Sequence, residues 1–155
     1  MGEISSSLNI HDLRFIPLKQ LKNDLGSVKH MLKSTDEFFD GFGEIYFSTI
    51  FKGVVKGWKK HLEVPQNLVV PCGRVRFIVY DGRENSPSFG QVDEILLCPD
   101  TNYGLLKIPN KLWYSFRGEA AKESVIVNCI PTQHDPKECV SKEIFDTEIP
   151  YSWRN

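Results

Sequence analysis

Lys52-Gly53-Val54-Val55-Lys56-Gly57-Trp58-Lys59-Lys60-His61 is the stretch on which the reading of this chain turns. It has the β-branched content of a strand, starts just after a flexible glycine, and sets cationic and ring-nitrogen side chains on an apolar frame. Side chains alternate between the two faces of a strand, so Lys59 and His61, two residues apart, share a face. If that strand lines a cavity, the shared face carries charge into an apolar interior. Simple alternation puts Lys56 on the other face, unless Gly57 hosts a bulge. With no cavity behind it, the same strand is a solvated outer surface.

The flanking sequence repeats the β pattern. Segments 45–51, 54–61, 67–70, 74–80, 94–98, 103–108, 113–117 and 124–130 read as strands rich in β-branched and aromatic residues. Turn signals separate them: Val64-Pro65-Gln66-Asn67, Pro71-Cys72-Gly73, Asp81-Gly82-Arg83, Cys98-Pro99-Asp100 and Ile108-Pro109-Asn110-Lys111. Short strands at roughly ten-residue intervals indicate an all-β sandwich or barrel and exclude a parallel α/β sheet. Residues 14–18 read as an edge strand limited by Pro17. Leucines at helical spacing over 18–32 compete with a turn at Asn23-Asp24-Leu25-Gly26. The reading adopted is that turn, followed by a strand over 27–33, with a helix over 18–24 as the alternative. Residues 34–43 read as a loop or one helical turn carrying aromatics, and residues 1–12 as polar and loosely held. The tail Asp146-Thr147-Glu148-Ile149-Pro150-Tyr151-Ser152-Trp153 is aromatic enough to pack down. One domain over 1–155 is expected, with no internal repeat.

The 155 residues carry a net charge of −1, with 41% hydrophobic and 25% charged residues. No global field therefore draws the chain to nucleic acid or to an acidic membrane surface, and an anionic ligand has to be met by a local cluster. The start lacks a signal-peptide pattern, and no apolar run approaches the ~18 residues of a membrane span. Met1-Gly2 followed by Ser6 fits an N-myristoylation start only in a short and frequent pattern. A cytoplasmic protein is expected. Cys72, Cys98, Cys129 and Cys139 form no Cys-x-x-Cys pair and are expected to be free, partly buried thiols.

Three stretches resemble a known family, the dTDP-4-dehydrorhamnose 3,5-epimerases and their sugar-nucleotide relatives. Ser48 through His61 is similar to that family's Ser, then Gly-Val-x-(Arg/Lys)-Gly, ahead of its catalytic His. Val75 through Gly90, with Tyr80-Asp81-Gly82-Arg83-Glu84-Asn85-Ser86-Pro87-Ser88-Phe89-Gly90, resembles its Val-Asp-x-Arg-x-x-Ser-Pro-Thr-Phe-Gly segment. Ile108-Pro109-Asn110-Lys111-Leu112-Trp113-Tyr114-Ser115-Phe116 looks like its Ile-Pro-x-x-x-x-His-Gly-Phe strand. Asp135-Pro136 and Ile149-Pro150-Tyr151-Ser152-Trp153 continue the match, which spans residues 24–153 in order. The resemblance implies a double-stranded β-helix (a cupin-type jelly roll) with short terminal extensions, working as a homodimer without metal or other cofactor.

It also implies proton chemistry on a nucleotide-linked 4-keto-6-deoxy sugar, in surface polysaccharide synthesis. A base removes a proton beside the ketone, a cation or donor stabilises the enolate, and an acid returns a proton to the opposite face. In the family these are a His, a Lys and a Tyr. Here the base position holds Lys59, the Lys position falls on or near Asn67, and the Tyr is replaced by Gln133 or His134. Candidates for base are Lys59 and His61, and for acid His134 and Tyr114, the latter at the site of a second pocket His. Lys56 takes the place of a diphosphate-binding Arg, and Glu44, Tyr46 and Asn67 are assigned to substrate contact. The alternative is a cupin that binds a sugar nucleotide, or a partner enzyme, without turnover. A metal cupin needs a His-x-His pair, which Lys59-Lys60-His61 does not supply. His11 and His30 receive no role.

Overall fold

The structure is a computed structural model that describes residues 8–154. The Met1-Gly2 start discussed above lies outside the described residues. The strands are β1 (Arg14–Pro17), β2 (Gln20–Asn23), β3 (Gly26–Lys29), β4 (Glu44–Ile50), β5 (Val55–His61), β6 (Gln66–Cys72), β7 (Val75–Tyr80), β8 (Val92–Leu97), β9 (Gly104–Ile108), β10 (Trp113–Gly118), β11 (Ser124–Ile130) and β12 (Cys139–Ser141). They form one sheet in the order β1-β9-β6-β11-β4, a second in the order β12-β5-β10-β7-β8, and a separate β2–β3 hairpin. From β4 onward the chain crosses from one sheet to the other at every step except β7 to β8. That antiparallel shuttling makes a cupin-type jelly roll.

The interior between the sheets holds Ile50, Leu68, Val70, Val75, Phe77, Val79, Leu106, Ile108, Tyr114 and Ile126. Strands β6 and β9 are buried on both faces, because Ile16, Leu18, Met31, Leu32 and Phe38 pack over Val69, Tyr103 and Leu105 on the outside. This is why Leu68-Val69-Val70 is a continuous apolar run. The outer face of the second sheet is covered by the tail, whose Ile149 and Trp153 close over Trp58, Ile78 and Trp113. Trp153 Nε1 donates to Ser115 Oγ at 2.8 Å, and Trp58 Nε1 to the Ile144 carbonyl at 3.1 Å.

Three local expectations are corrected. Residues 8–12 are held down: Asp93, buried, accepts from Asn9 N at 3.0 Å and Ile10 N at 2.8 Å, and Ser88 Oγ accepts from His11 N at 2.7 Å. The helix over 18–24 is absent and β2 stands there instead, since Asn23 Oδ1 accepts from Leu25 N and Gly26 N and closes a hairpin. The strand expected over 27–33 ends at Lys29, after which Met31 and Leu32 turn down onto Tyr103 and Leu105.

Strand β5 contains the bulge. Lys59 pairs with Tyr114 and Gly57 with Ser115, while Lys56 pairs with Phe116, so Trp58 is an extra residue on this strand. Paired residues share a face. Lys56, Lys59 and His61 therefore all lie on the inner side with Tyr114 and Phe116, while Trp58 turns outward. Gly57 has φ +119°, and a Cβ there would sit 2.6 Å from Ser115 Cβ. Gly57→Ala is expected to destabilise the fold by about 2 kcal/mol or more, read as a lowered urea midpoint at unchanged m-value.

The 81–91 loop is organised by Asp81, a fully buried carboxylate. It accepts from Ser86 Oγ and Ser88 Oγ, each at 2.6 Å, and from the Arg83 backbone and guanidinium. Burial pushes this carboxyl up, but the hydrogen bonds from Arg83, Ser86 and Ser88 outweigh it and hold it well below the usual carboxylate range. Arg76 and Arg117 act in the same direction on Glu119. A carboxyl whose folded-state pKa is depressed stabilises the fold fully at neutral pH and loses that contribution as pH falls below about 4. Acid unfolding of the wild type should therefore steepen below that pH. Asp81→Asn should lower stability at pH 7 and flatten the acid limb, as measured by urea titration at each pH.

Candidate functional site

At one end of the roll, polar side chains replace the apolar core between the sheets. His61, at the end of β5, is 6% exposed. Its ring stacks on Tyr114 with centroids 6.0 Å apart, and Tyr114 stacks in turn on Phe116. Nδ1 meets Glu138 Oε1 in a short hydrogen bond, and Nε2 stands 3.2 Å from the Tyr114 hydroxyl. An ionised carboxylate only accepts, so the Glu138 contact places the ring proton on Nδ1. In the neutral ring Nε2 then keeps its lone pair and the Tyr114 O–H donates to it.

Glu138 is itself held in place. Asp135 caps the 3-10 turn Pro136–Glu138, with Asp135 Oδ1 accepting from Lys137 N at 2.9 Å. The turn carries Glu138 back against the β5–β6 connection, where its Oε2 accepts from Glu63 N and Val64 N, both at 3.3 Å. Leu62 N donates to the Glu138 carbonyl at 2.8 Å. Strand β12 then begins, pairing Cys139 with His61. The Cys139 thiol is half-buried, and burial pushes its pKa up. Burial likewise pushes the Tyr114 phenol far above its ordinary range, and the charges of Tyr46, Cys139 and Glu138 add to the effect.

The opposite wall comes from the first sheet. On β4 the inner positions are Glu44, Tyr46, Ser48 and Ile50, and the outer ones, Ile45, Phe47 and Thr49, are exposed. Asn128 on β11 faces Tyr46 and donates to its hydroxyl at 2.8 Å and to Gln66 Oε1 at 2.6 Å. Asn128 Oδ1 accepts from Asn67 N at 3.1 Å. Burial raises the Tyr46 pKa above its ordinary value, against the lowering effect of the Asn128 hydrogen bond.

Of the residues singled out in the sequence, His61, Tyr114, Lys59, Tyr46 and Glu44 lie on inner strand faces near this end, whereas Lys56 shares the inner face at the far end of β5. Lys59 is exposed. Lys56 donates from Nζ to the Thr49 carbonyl at 2.6 Å across the gap between the sheets. His134 is exposed, and only its backbone N approaches Glu44 Oε1, at 3.4 Å.

Asn67 faces the other way. It is one residue out of phase with Leu68 and turns outward, with Nδ2 donating to the Cys129 carbonyl at 2.9 Å and Oδ1 accepting from Lys107 Nζ at 3.2 Å. Gln66, its neighbour, faces the interior instead. Glu138, Gln66 and Asn128 were not found from sequence. Only Asp135-Pro136, a turn start three residues ahead of Glu138, gave a signal. A cleft of about 570 Å³ lined by His11, Lys60, Arg83 and Lys111 lies elsewhere, on the side to which Lys60 points over Trp113. None of the inner-facing candidates lines it.

No family model matches the chain. A probable low-salt glycan biosynthesis epimerase, Agl13 of Haloferax volcanii, is 30% identical over 136 residues, covering 84% of this chain and 86% of that protein. The crystal structure of a dTDP sugar isomerase from Desulfovibrio desulfuricans G20 superposes with a TM-score of 0.92 at 35% identity, covering 94% of this chain and 93% of that one. A dTDP-4-dehydrorhamnose 3,5-epimerase of Bacillus anthracis, solved with TDP and PPi bound, shares the fold with a TM-score of 0.79 at 17% identity, over 92% and 85% of the two chains. On the extent and identity of these matches, the chain belongs to the family of sugar-nucleotide epimerases that includes dTDP-4-dehydrorhamnose 3,5-epimerase.

Proposed function

We propose that the protein epimerises a nucleotide-linked 4-keto-6-deoxy sugar by removing a proton from a carbon next to the ketone, as a step in building a cell-surface glycan. The observation that carries this reading is the Glu138–His61–Tyr114 chain, with His61 and Tyr114 buried, which leaves one nitrogen of the neutral imidazole with its lone pair at the polar end of an otherwise apolar barrel. A binder without turnover has no need of a histidine whose tautomer is set by a carboxylate. In this reading His61 Nε2 takes the carbon-bound proton, and the bond from Tyr114 yields to it. Glu138 positions the ring and balances the imidazolium that forms. The enolate oxygen gains its charge near Lys59, whose ammonium suits stabilisation better than abstraction. Lys56 meets the diphosphate, with Glu44 at the rim.

Two further features belong to the same proposal. Phe47 is 70% exposed and Ile45 49% exposed on the outer face of β4, the edge strand of its sheet, with Phe42 and Phe51 exposed beside them. The tip of the β2–β3 hairpin is also bare, with Leu25 98% exposed. Apolar surface of this extent on an edge strand suits burial against a second copy, and we propose a homodimer. No described helix is long and apolar enough to cross a membrane. We place the protein in the cytoplasm, in keeping with its four free cysteines.

In D2O, NMR of a dTDP-linked 4-keto-6-deoxy sugar should show exchange and inversion at a carbon beside the ketone. His61→Ala should slow exchange by about 10³-fold or more. Glu138→Gln should lower kcat about 100-fold with little change in KM, since it acts through the imidazole. Saturable binding without exchange would instead establish the non-catalytic cupin. Phe47→Glu should convert the dimer to monomer in light scattering, and an unchanged mass would place any interface elsewhere.

A further inference from the structure

Inversion at carbon requires the proton to leave from one face and return to the other, so donor and acceptor must stand on opposite walls. His61 and Tyr114 stand on the same wall, β5 and β10 of the second sheet, and are bonded to each other. Tyr114 therefore cannot serve the far face. His134 is exposed and turns only its backbone toward Glu44. Tyr46 projects from β4, on the other sheet.

The hydrogen bonds around Tyr46 determine which atom is donor. The Asn67 backbone N–H can only donate, so Asn128 must present its carbonyl oxygen to it at 3.1 Å. The Asn128 amide nitrogen is thereby left to donate to Gln66 Oε1 at 2.6 Å and to the Tyr46 oxygen at 2.8 Å. Tyr46 is an acceptor in that bond, and its own O–H hydrogen has no partner among the described residues. A half-buried phenol held by an amide donor, with its proton uncommitted, is a general acid in waiting.

We infer that Tyr46 is the catalytic acid, delivering its hydroxyl proton to the carbon on the face opposite His61. This rests on the epimerase reading above. The C–H bond breaks as His61 Nε2 takes the proton and the electron pair passes into the enolate. The Tyr46 O–H bond then breaks as a new C–H bond forms, leaving a phenolate stabilised by the Asn128 N–H. The imidazolium releases its proton to water and the phenolate takes one back, so the cycle closes with no net proton change. Burial keeps the phenol protonated at neutral pH, in the form an acid requires.

The test is Tyr46→Phe assayed in D2O with the same dTDP-linked 4-keto-6-deoxy sugar, following solvent exchange and inversion separately. The expected result is exchange at near the wild-type rate, because His61 still removes the proton and returns it to the same face, with inversion slowed at least 100-fold. Retained exchange also shows that the variant folds and binds. Inversion at the wild-type rate overturns the role of Tyr46 alone, and so does loss of exchange and inversion together, which marks Tyr46 as a binding residue. A wild-type protein that exchanges no proton overturns the epimerase reading, and this role with it.

Discussion

The inner face of β5 depends on a close backbone approach: at Gly57 there is no room for a side chain between this strand and Ser115. The tight passage accommodates one extra residue, Trp58, which turns outward into the cluster capped by Ile149 and Trp153. Without that extra residue, strict alternation would send Lys56 outward whenever Lys59 and His61 point inward. With it, three cationic or titratable side chains face the interior, while the indole is packed outside beneath the C-terminal tail. The tail is therefore functional packing: by burying Trp58 it secures the phase of the strand that carries the site.

Placing polar groups inside a barrel costs several kcal/mol for each charge left unpaired. Here the cost is offset bond by bond. The Glu138 carboxylate takes one imidazole N–H and two backbone N–H groups. Asn128 uses both its amide hydrogens and its oxygen. Most of these partners are backbone or buried groups, so the geometry exists before any ligand arrives. Such preorganisation is what makes fixed dipoles effective against charge that develops only in a transition state. The same logic, used purely for structure, appears at Asp81, where two hydroxyls and an arginine shape the 81–91 loop.

The eight β segments from 45 to 130 were legible because each is a short run rich in β-branched and aromatic residues set between turn residues, and their boundaries move by only a residue or two. Where reading failed, the deciding interaction was remote in sequence. Residues 8–12 look loose on composition, but Asp93 and Ser88, some eighty positions away, fasten them. Asn67 was one residue out of phase with the interior, and a one-residue slip changes the face of the sheet. Glu138 lies in an unremarkable Lys-Glu-Cys stretch, and only the return of the chain after Asp135-Pro136 brings it to His61. The bulge at Gly57 could be named as a condition but not decided, since it depends on how closely Ser115 approaches.

The departures from the family pattern also make sense together. The expected base position is Lys59, and the histidine found here lies two residues further along the same face, about 7 Å along the strand at its end. A base displaced that far needs new partners. The structure supplies a carboxylate from the turn after Asp135-Pro136 behind the imidazole, and the Tyr46 phenol projects from the other sheet. Lysine in the vacated position leaves an exposed cation one pleat from the imidazole. Taken singly, each substitution looks like loss of machinery. In the reading proposed above, the base sits one pleat along the same face of β5, the cation takes the family's base position beside it, and the acid is drawn from the facing sheet.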